Sequence, residues 1–146
     1  MKSNWIYFDL DGTIVDLYGV ENWLPMLIDS NPAPYKLAAP LVNMNKLART
    51  LNKLQRKGYK LGIISWLSKT STPEYDEAVT AAKLWWLKKH LNSVSWDEIN
   101  IVAYGRNKWD VCGEGILFDD EAPNREAWGG NAYHPDDMMK ILLSLA

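Results

Sequence analysis

The feature that most constrains this chain is an apolar run near its start that ends abruptly in two carboxylates. The run Trp5–Phe8 leads into the segment Asp9–Thr13, whose sequence is DLDGT. Aromatic and β-branched runs of this kind are typical of buried strands. If the extended backbone persists, strand alternation places Asp9 and Asp11 on one side, where they repel each other unless a hard cation such as Mg²⁺ intervenes. Because Asp-Gly is also a common turn pair, a plain strand-end turn is the alternative.

The composition is that of a soluble globular protein. The 146 residues are 47% hydrophobic and 23% charged, which is enough for one domain, residues 1–146, with a substantial core. A formal net charge of −2 does not indicate a broad basic surface for binding nucleic acids or membranes. The lone cysteine, Cys112, excludes an internal disulfide framework and cysteine-rich metal sites. No signal-peptide pattern follows Met1 and no apolar segment reaches spanning length, so a cytoplasmic protein is expected.

Apolar strands alternate with amphipathic helices along the chain. The pattern predicts strands over 4–10, 60–65, 99–104, 115–119 and 132–133, and helices over 21–29, 43–57, 72–91 and 135–145. In the helix 72–91, four residues are expected to face inward and three lysines to be more exposed: Val79, Ala82, Trp86 and Leu87, against Lys83, Lys88 and Lys89. The alternation predicts an α/β fold, a three-layer Rossmann-like domain with a mainly parallel sheet. Ligands of such folds bind at the carboxyl edge of the sheet.

Further polar residues follow other strands of the predicted sheet. Ser65 ends the second strand, Asp119 and Asp120 end the fourth, and Lys108 lies in the polar loop before it. Because right-handed crossovers align the carboxyl ends of the strands, these side chains are expected to meet the first acid pair at one edge. Each has a plainer explanation when taken singly. A strand-end serine is often a turn residue, a loop lysine is usually solvated, and an acid pair can cap a helix.

Together these residues resemble the four motifs of the haloacid dehalogenase (HAD) superfamily. Asp9–Thr13 matches the first motif, hhhhDxDGT, in full, and Ser65 matches the second. Lys108 fits the third and Asp119-Asp120 the fourth, with Asn124 where the family often keeps another polar residue. The short sequence separation between the third and fourth motifs resembles that in the 5′(3′)-deoxyribonucleotidases. The resemblance runs from the first strand to about Asn124, which is most of the chain.

The resemblance implies a Mg²⁺-dependent phosphomonoester hydrolase, with a nucleotidase as one form of it. Asp9 would be the nucleophile that forms an aspartyl-phosphate, and Asp11 would protonate the leaving oxygen and then activate water. Asp9, the backbone carbonyl of Asp11 and a fourth-motif acid would hold the metal. Strand alternation points Asp119 and Asp120 opposite ways, so one would ligate the metal and the other would orient Lys108 or a bound water. The family pattern favours Asp120 as the ligand.

The same resemblance implies a phosphate site made of Gly12, Thr13, Ser65, Lys108 and Asn124. Ser65 and Lys108 would grip the phosphoryl oxygens, because a phosphate dianion repels an attacking carboxylate until positive charge neutralises it. The expected partner is a phosphorylated substrate, either a small molecule or the exposed phosphate of a larger one.

No insertion is long enough to form a large cap. Residues 14–42 hold a small flap, one helix and a Pro-rich loop, and Trp66–Ser71 is too short for a folded insert, so the chain resembles capless members of the family. Without a cap, the carboxyl edge of the sheet would be open. An open edge suits a bulky substrate, or a small one that a neighbouring subunit covers, and a homo-oligomer is therefore one of the alternatives. Four aromatic residues are candidates for a base-binding wall, with core packing as the alternative: Tyr18, Trp23, Tyr35 and Trp66.

Two other functions are compatible with the motifs. One is a catalytically silent module that binds phosphate or a partner on the same scaffold, and the other is a phosphotransferase. Outside the motifs, neither His90 nor His134 has a partner at metal-ligand spacing. Cys112 is expected to be a buried thiol and not a nucleophile.

Overall fold

Strands and helices alternate through residues 3–146, the part of the chain that the computed structural model describes. The strands are β1 (Trp5–Phe8), β2 (Val15–Asp16), β3 (Ala39–Pro40), β4 (Lys60–Trp66), β5 (Glu98–Val102), β6 (Ile116–Phe118) and β7 (Ala132–Tyr133). The α-helices are α1 (Trp23–Ile28), α2 (Ala33–Leu37), α3 (Met44–Arg56), α4 (Pro73–His90), α5 (Lys108–Cys112), α6 (Ala122–Ala127) and α7 (Met138–Leu145). Two 3₁₀ turns cover Leu17–Gly19 and Pro135–Asp137.

The central sheet has five parallel strands in the order β5-β4-β1-β6-β7. The chain builds outward from β1 to β4 and β5, then crosses back to place β6 and β7 on the other side. The strand order therefore reverses between β1 and β6, where the carboxyl ends of adjacent strands diverge and leave room for a ligand. A separate two-stranded antiparallel ribbon joins β2 to β3. The predicted α/β class with a mainly parallel central sheet is confirmed.

Alternate residues of β1 pack on opposite faces of the sheet. Ile6 and Phe8 belong to the larger core cluster, together with buried residues of α3, α4 and α7. Tyr7 lies on the other face in a smaller cluster with Leu117 and Trp128, flanked by residues of α5. Because both faces are covered, β1 is apolar throughout, as expected of a central parallel strand. No helix within the described residues is both long and apolar enough to cross a membrane.

Several element boundaries differ from the sequence predictions for local reasons. The first strand ends at Phe8 and not at residue 10, because the carbonyl of Leu10 accepts from the backbone N–H groups of Thr13, Ile14 and Val15 and so closes a tight turn. The segment after residue 29, predicted as a loop, contains α2 and β3. Lys108, also predicted in a loop, is the first residue of α5, whose N-cap Asn107 accepts from the N–H of Asp110.

One prediction about α4 is wrong. Val79, Ala82, Trp86 and Leu87 are buried as expected, but Lys83 is buried with them, and its relative exposure is 2%. Lys83 lies four residues after Val79 and four before Leu87, so helical spacing puts it on the same inward stripe. A buried ammonium is tolerated only where acceptors surround it, and these come from other parts of the fold.

Candidate active site

Asp9 follows β1 directly, at the point where the strand order reverses. Its backbone N–H donates to the carbonyl of Phe118 at 3.0 Å, which ties the end of β1 to β6. Its Oδ1 accepts from Nζ of Lys108 at 3.0 Å, and its Oδ2 accepts from Oγ1 of Thr13 at 3.1 Å. Both carboxylate oxygens therefore have a donor, and the side chain keeps one orientation although 10% of it is exposed.

Gly12 brings the turn after Asp9 close to the fourth-motif acids. Its φ of +82° is left-handed, and a Cβ at this position would collide with the carboxylate of Asp120. The same turn buries Thr13, whose Oγ1 accepts from the backbone N–H of Asp120 at 3.2 Å. The DGT segment thus sets the position of Asp120 relative to Asp9.

We predict that Gly12→Ala destabilises the protein more than Gly105→Ala does. Gly105 has a φ of +83°, but no atom lies within 4 Å of the position that a Cβ would take there, so it is a matched control. The backbone cost of a left-handed alanine, about 1–2 kcal/mol, is common to both variants, whereas only Gly12→Ala displaces Asp120. Urea denaturation measures the difference, and equal losses in the free energy of unfolding would contradict the close approach of Gly12 to Asp120.

Lys108 bridges the first and fourth motifs. Its Nζ donates to Asp9 at 3.0 Å and to Oδ2 of Asp119 at 2.7 Å. Asp119 is fully buried, and it also accepts from the backbone N–H of Glu121 and from Nδ2 of Asn124. Burial alone would lower the pKa of Lys108, but the two carboxylates outweigh it and raise that pKa, so the side chain is an ammonium.

Three carboxylates form a cluster that could hold a metal ion. Asp9, Asp119 and Asp120 each place one oxygen within 4.8 Å of the others. Oδ1 of Asp120 is buried and has no hydrogen-bond partner among the described residues. Burial and the neighbouring Asp9 raise the pKa of Asp120 to about 8. Lys108 pairs with Asp9 and Asp119, and no cation within residues 3–146 pairs with Asp120. The cluster therefore lacks positive charge, and its oxygen donors fit a hard divalent cation.

Asp11 contacts a lysine that lies outside the four motifs and that the sequence did not place in the site. Oδ2 of Asp11 accepts from Nζ of Lys83 at 3.0 Å, and the same Nζ donates to Oγ of Ser65 at 2.7 Å. It also donates to the carbonyl of Trp66 at 2.6 Å. The signal that could have revealed Lys83 was its place on the apolar stripe of α4, where a charged residue needs a specific partner.

The predicted phosphate residues fall into two groups. Lys108 and Asn124 line a cavity of about 410 Å³, together with Asp9 and Asp11. Ser65 is fully buried and is not part of this lining. Gly12 and Thr13 line a second hollow, of about 340 Å³. The structure thus brings Asp9, Asp11, Asp119, Lys108 and Asn124 to one cavity, whereas Asp120 and the other predicted phosphate contacts are not part of its lining.

The rest of the cavity lining is largely apolar and aromatic. All four aromatic candidates from the sequence line it, and Tyr104 is a fifth: Tyr18, Trp23, Tyr35, Trp66 and Tyr104. The ring of Tyr18 packs edge-on against Trp23 at 5.0 Å between centroids, and Trp66 packs against Tyr104 at 5.1 Å. Lys108 lies 5.3 Å from the ring centroid of Trp66. Aromatic rings therefore border the charged end of the cavity directly.

Cys112 lies outside the cavity and is expected to be unreactive. Burial and the nearby Glu98 raise the pKa of its thiol to about 12. Since the thiolate is the reactive form, we predict that iodoacetamide alkylates Cys112 at pH 8 at least about 10²-fold more slowly in the folded protein than in urea. Mass spectrometry follows the reaction; similar rates in both states would mean that the thiol is ionised in the folded protein.

The overall fold is similar to that of a D,D-heptose 1,7-bisphosphate phosphatase from Burkholderia thailandensis. The TM-score is 0.58, and the likeness covers 99% of this chain and 97% of that one at 13% sequence identity. No protein-family model matches the sequence, and no curated protein matches it either. At this identity the likeness establishes the fold alone, which is a Rossmann-like α/β fold that this chain shares with that phosphatase.

Proposed function

We propose that this chain is a Mg²⁺-dependent phosphomonoester hydrolase that works through an aspartyl-phosphate on Asp9. The observation that carries the proposal is the Lys108 ammonium, held between Asp9 and Asp119 where these residues line the cavity. A carboxylate can attack a phosphate dianion only when positive charge offsets their repulsion. Two of the three N–H groups of Lys108 go to carboxylates, which leaves one for a phosphoryl oxygen in the cavity.

The chemistry follows from the positions of the two first-motif acids. A carboxylate oxygen of Asp9 attacks phosphorus in line, the bond to the leaving oxygen breaks, and Asp11 gives that oxygen a proton. Asp11, now a carboxylate, then takes a proton from a water molecule that attacks the acyl phosphate and releases inorganic phosphate. Lys108 stabilises the equatorial oxygens in both steps, and Asn124, held by Asp119, lines the same cavity.

The acid cluster supports a role for Mg²⁺. The ion would be held by Asp9, Asp120 and the backbone carbonyl of Asp11. Of the two fourth-motif acids, Asp120 is the proposed ligand because Asp119 already accepts from Lys108, Asn124 and the N–H of Glu121. The orphaned oxygen of Asp120 supports its assignment as a direct ligand. When bound, the ion supplies positive charge that polarises a phosphoryl oxygen.

The shape of the cavity supports a small substrate with a flat leaving group. A volume of about 410 Å³ lies within the range of small-molecule sites, roughly 300–1,000 Å³. Aromatic walls suit a nucleobase or another planar ring, so we propose a nucleoside monophosphate as the substrate class. The 14–42 segment supplies Tyr18, Trp23 and Tyr35 of this wall, and we propose that this small insert sets substrate choice. The structurally similar protein is itself a phosphatase, which is consistent with the reaction class.

Release of inorganic phosphate from a substrate panel tests the proposal. p-Nitrophenyl phosphate, nucleoside monophosphates and sugar phosphates are assayed with Mg²⁺ and again with excess EDTA. We expect turnover with Mg²⁺, loss with EDTA, and a preference for nucleotides over sugar phosphates. Binding of Mg²⁺ and phosphate without turnover of any substrate would instead support the silent binding module. A phosphorylated alcohol formed in place of free phosphate when glycerol is added would support the phosphotransferase.

A further inference from the structure

The second buried lysine of the site differs from Lys108 in one decisive respect. Nζ of Lys83 donates to Oδ2 of Asp11, to Oγ of Ser65 and to the carbonyl of Trp66, at 3.0, 2.7 and 2.6 Å. An ammonium has three N–H groups, so all of them are used. Lys83 therefore has no hydrogen left for a phosphoryl oxygen, whereas Lys108 has one.

The burial of the two partners shows which of them faces the substrate. Asp11 lines the cavity and its side chain is 16% exposed, whereas Lys83 is 2% exposed and is not part of the lining. Lys83 thus lies behind Asp11, packed 5.0 Å from the ring centroid of Tyr35. It reaches Asp11 from α4, while Ser65 and Trp66 belong to β4, so a helix and a strand both fix its position.

We infer that Lys83 is a positioning residue that holds the carboxyl group of Asp11 in place for proton transfer to the leaving oxygen. The inference depends on the proposed function, in which Asp11 is the general acid. With Oδ2 of Asp11 fixed, the side chain cannot rotate away from the cavity, and the other oxygen is left for the substrate. Proton donation needs a donor within hydrogen-bond reach of the leaving oxygen, so an Asp11 side chain that is free to change rotamer would donate less effectively.

This role predicts a dependence on the leaving group that a merely structural role would not produce. An alkoxide leaves poorly and needs the proton from Asp11, whereas p-nitrophenolate leaves well without it. The constant kcat/KM reports the steps up to release of the leaving group, so later hydrolysis of the acyl phosphate does not affect it. The ratio of kcat/KM for p-nitrophenyl phosphate to that for an alkyl phosphate therefore isolates the positioning of the acid.

The experiment compares this ratio in the wild type, Lys83→Met and Lys83→Gln. We expect kcat/KM for the alkyl phosphate to fall by about 10²-fold, the lower range of general acid catalysis, while that for p-nitrophenyl phosphate falls far less. Lys88→Met, at an exposed position of the same helix, should leave both constants unchanged. Lys83→Gln keeps a hydrogen-bond donor without the charge and serves if Lys83→Met does not fold.

A double-mutant cycle separates action through Asp11 from other effects. In an Asp11→Asn background the acid is already lost, so adding Lys83→Met should change the ratio no further. Equal losses for both substrates in the Lys83 variants, or a further change of the ratio in the double variant, would overturn the inference while leaving the proposed function intact. A wild type that is inert towards both phosphates would refute the proposed function, and the inference with it.

Discussion

Replacing Asp9 with Asn should lower phosphomonoesterase turnover by about 10³-fold or more, because the amide is a poor nucleophile and the covalent route is lost. The fold should survive the change. Lys108 keeps its bond to Asp119, and the amide oxygen can still accept from Oγ1 of Thr13. Asp9→Asn thus removes reactivity with little change in shape, and inorganic phosphate released from p-nitrophenyl phosphate measures the loss.

The matched control is Asp29→Asn, which makes the same chemical change at an exposed position. It should keep wild-type turnover. Circular dichroism should show that both variants are folded. If Asp9→Asn retained more than a few per cent of the activity, another residue would be the nucleophile.

Lys108→Met should have the largest effect on stability. The substitution removes the cation between Asp9 and Asp119 and leaves two buried carboxylates facing each other. Removing one partner of a buried ion pair typically costs about 3–5 kcal/mol, and we expect a loss of that size in the free energy of unfolding, measured by urea denaturation without metal. Mg²⁺ should restore part of the loss, because a ligand that binds only the folded state stabilises it.

Lys53→Met in α3 is the control, since this lysine is exposed and far from the acids in the sequence. A surface change of this kind should alter the free energy of unfolding by about 0.5 kcal/mol or less. A similarly small effect in Lys108→Met would mean that the lysine does not compensate the buried acids. The proposed role of Lys108 in offsetting phosphate repulsion would then lose its physical basis.

The sheet could be predicted because its strands are apolar and end in polar residues. Each of the strands β1, β4 and β6 is an apolar run with a polar residue at or near its carboxyl end: Asp9 after β1, Ser65 near the end of β4 and Asp119 after β6. Parallel pairing aligns those ends. The short helices were harder. α5 has five residues and α6 has six, too few for an amphipathic period to emerge from the sequence.

Lys83 could not be assigned from helix periodicity alone. Its position lies on the inward stripe of α4, but lysine is rarely buried, so the residue type argued against the position. The three acceptors that make its burial possible are Asp11, Ser65 and the carbonyl of Trp66, which lie far from it in sequence. The strand pattern placed Ser65 at the carboxyl edge but could not show that a lysine from the next helix would lie against its hydroxyl.

The aromatic wall was equally hard to predict. Tyr18, Trp23 and Tyr35 come from the 14–42 segment, and Trp66 and Tyr104 lie at or after the ends of two separate strands. Each alone was compatible with core packing, because aromatic residues are often buried. Only the fold brings them together beside Asp9.

Identifying the phosphorylated residue tests the central claim most directly. Protein quenched in acid during turnover of a phosphomonoester with Mg²⁺ is treated with borohydride, which reduces an acyl phosphate of aspartate to homoserine, and the peptides are then sequenced by mass spectrometry. We predict homoserine at position 9 and nowhere else, and none in Asp9→Asn. Active enzyme that yields no homoserine, or yields it at another aspartate, would contradict the assignment of Asp9 as the nucleophile.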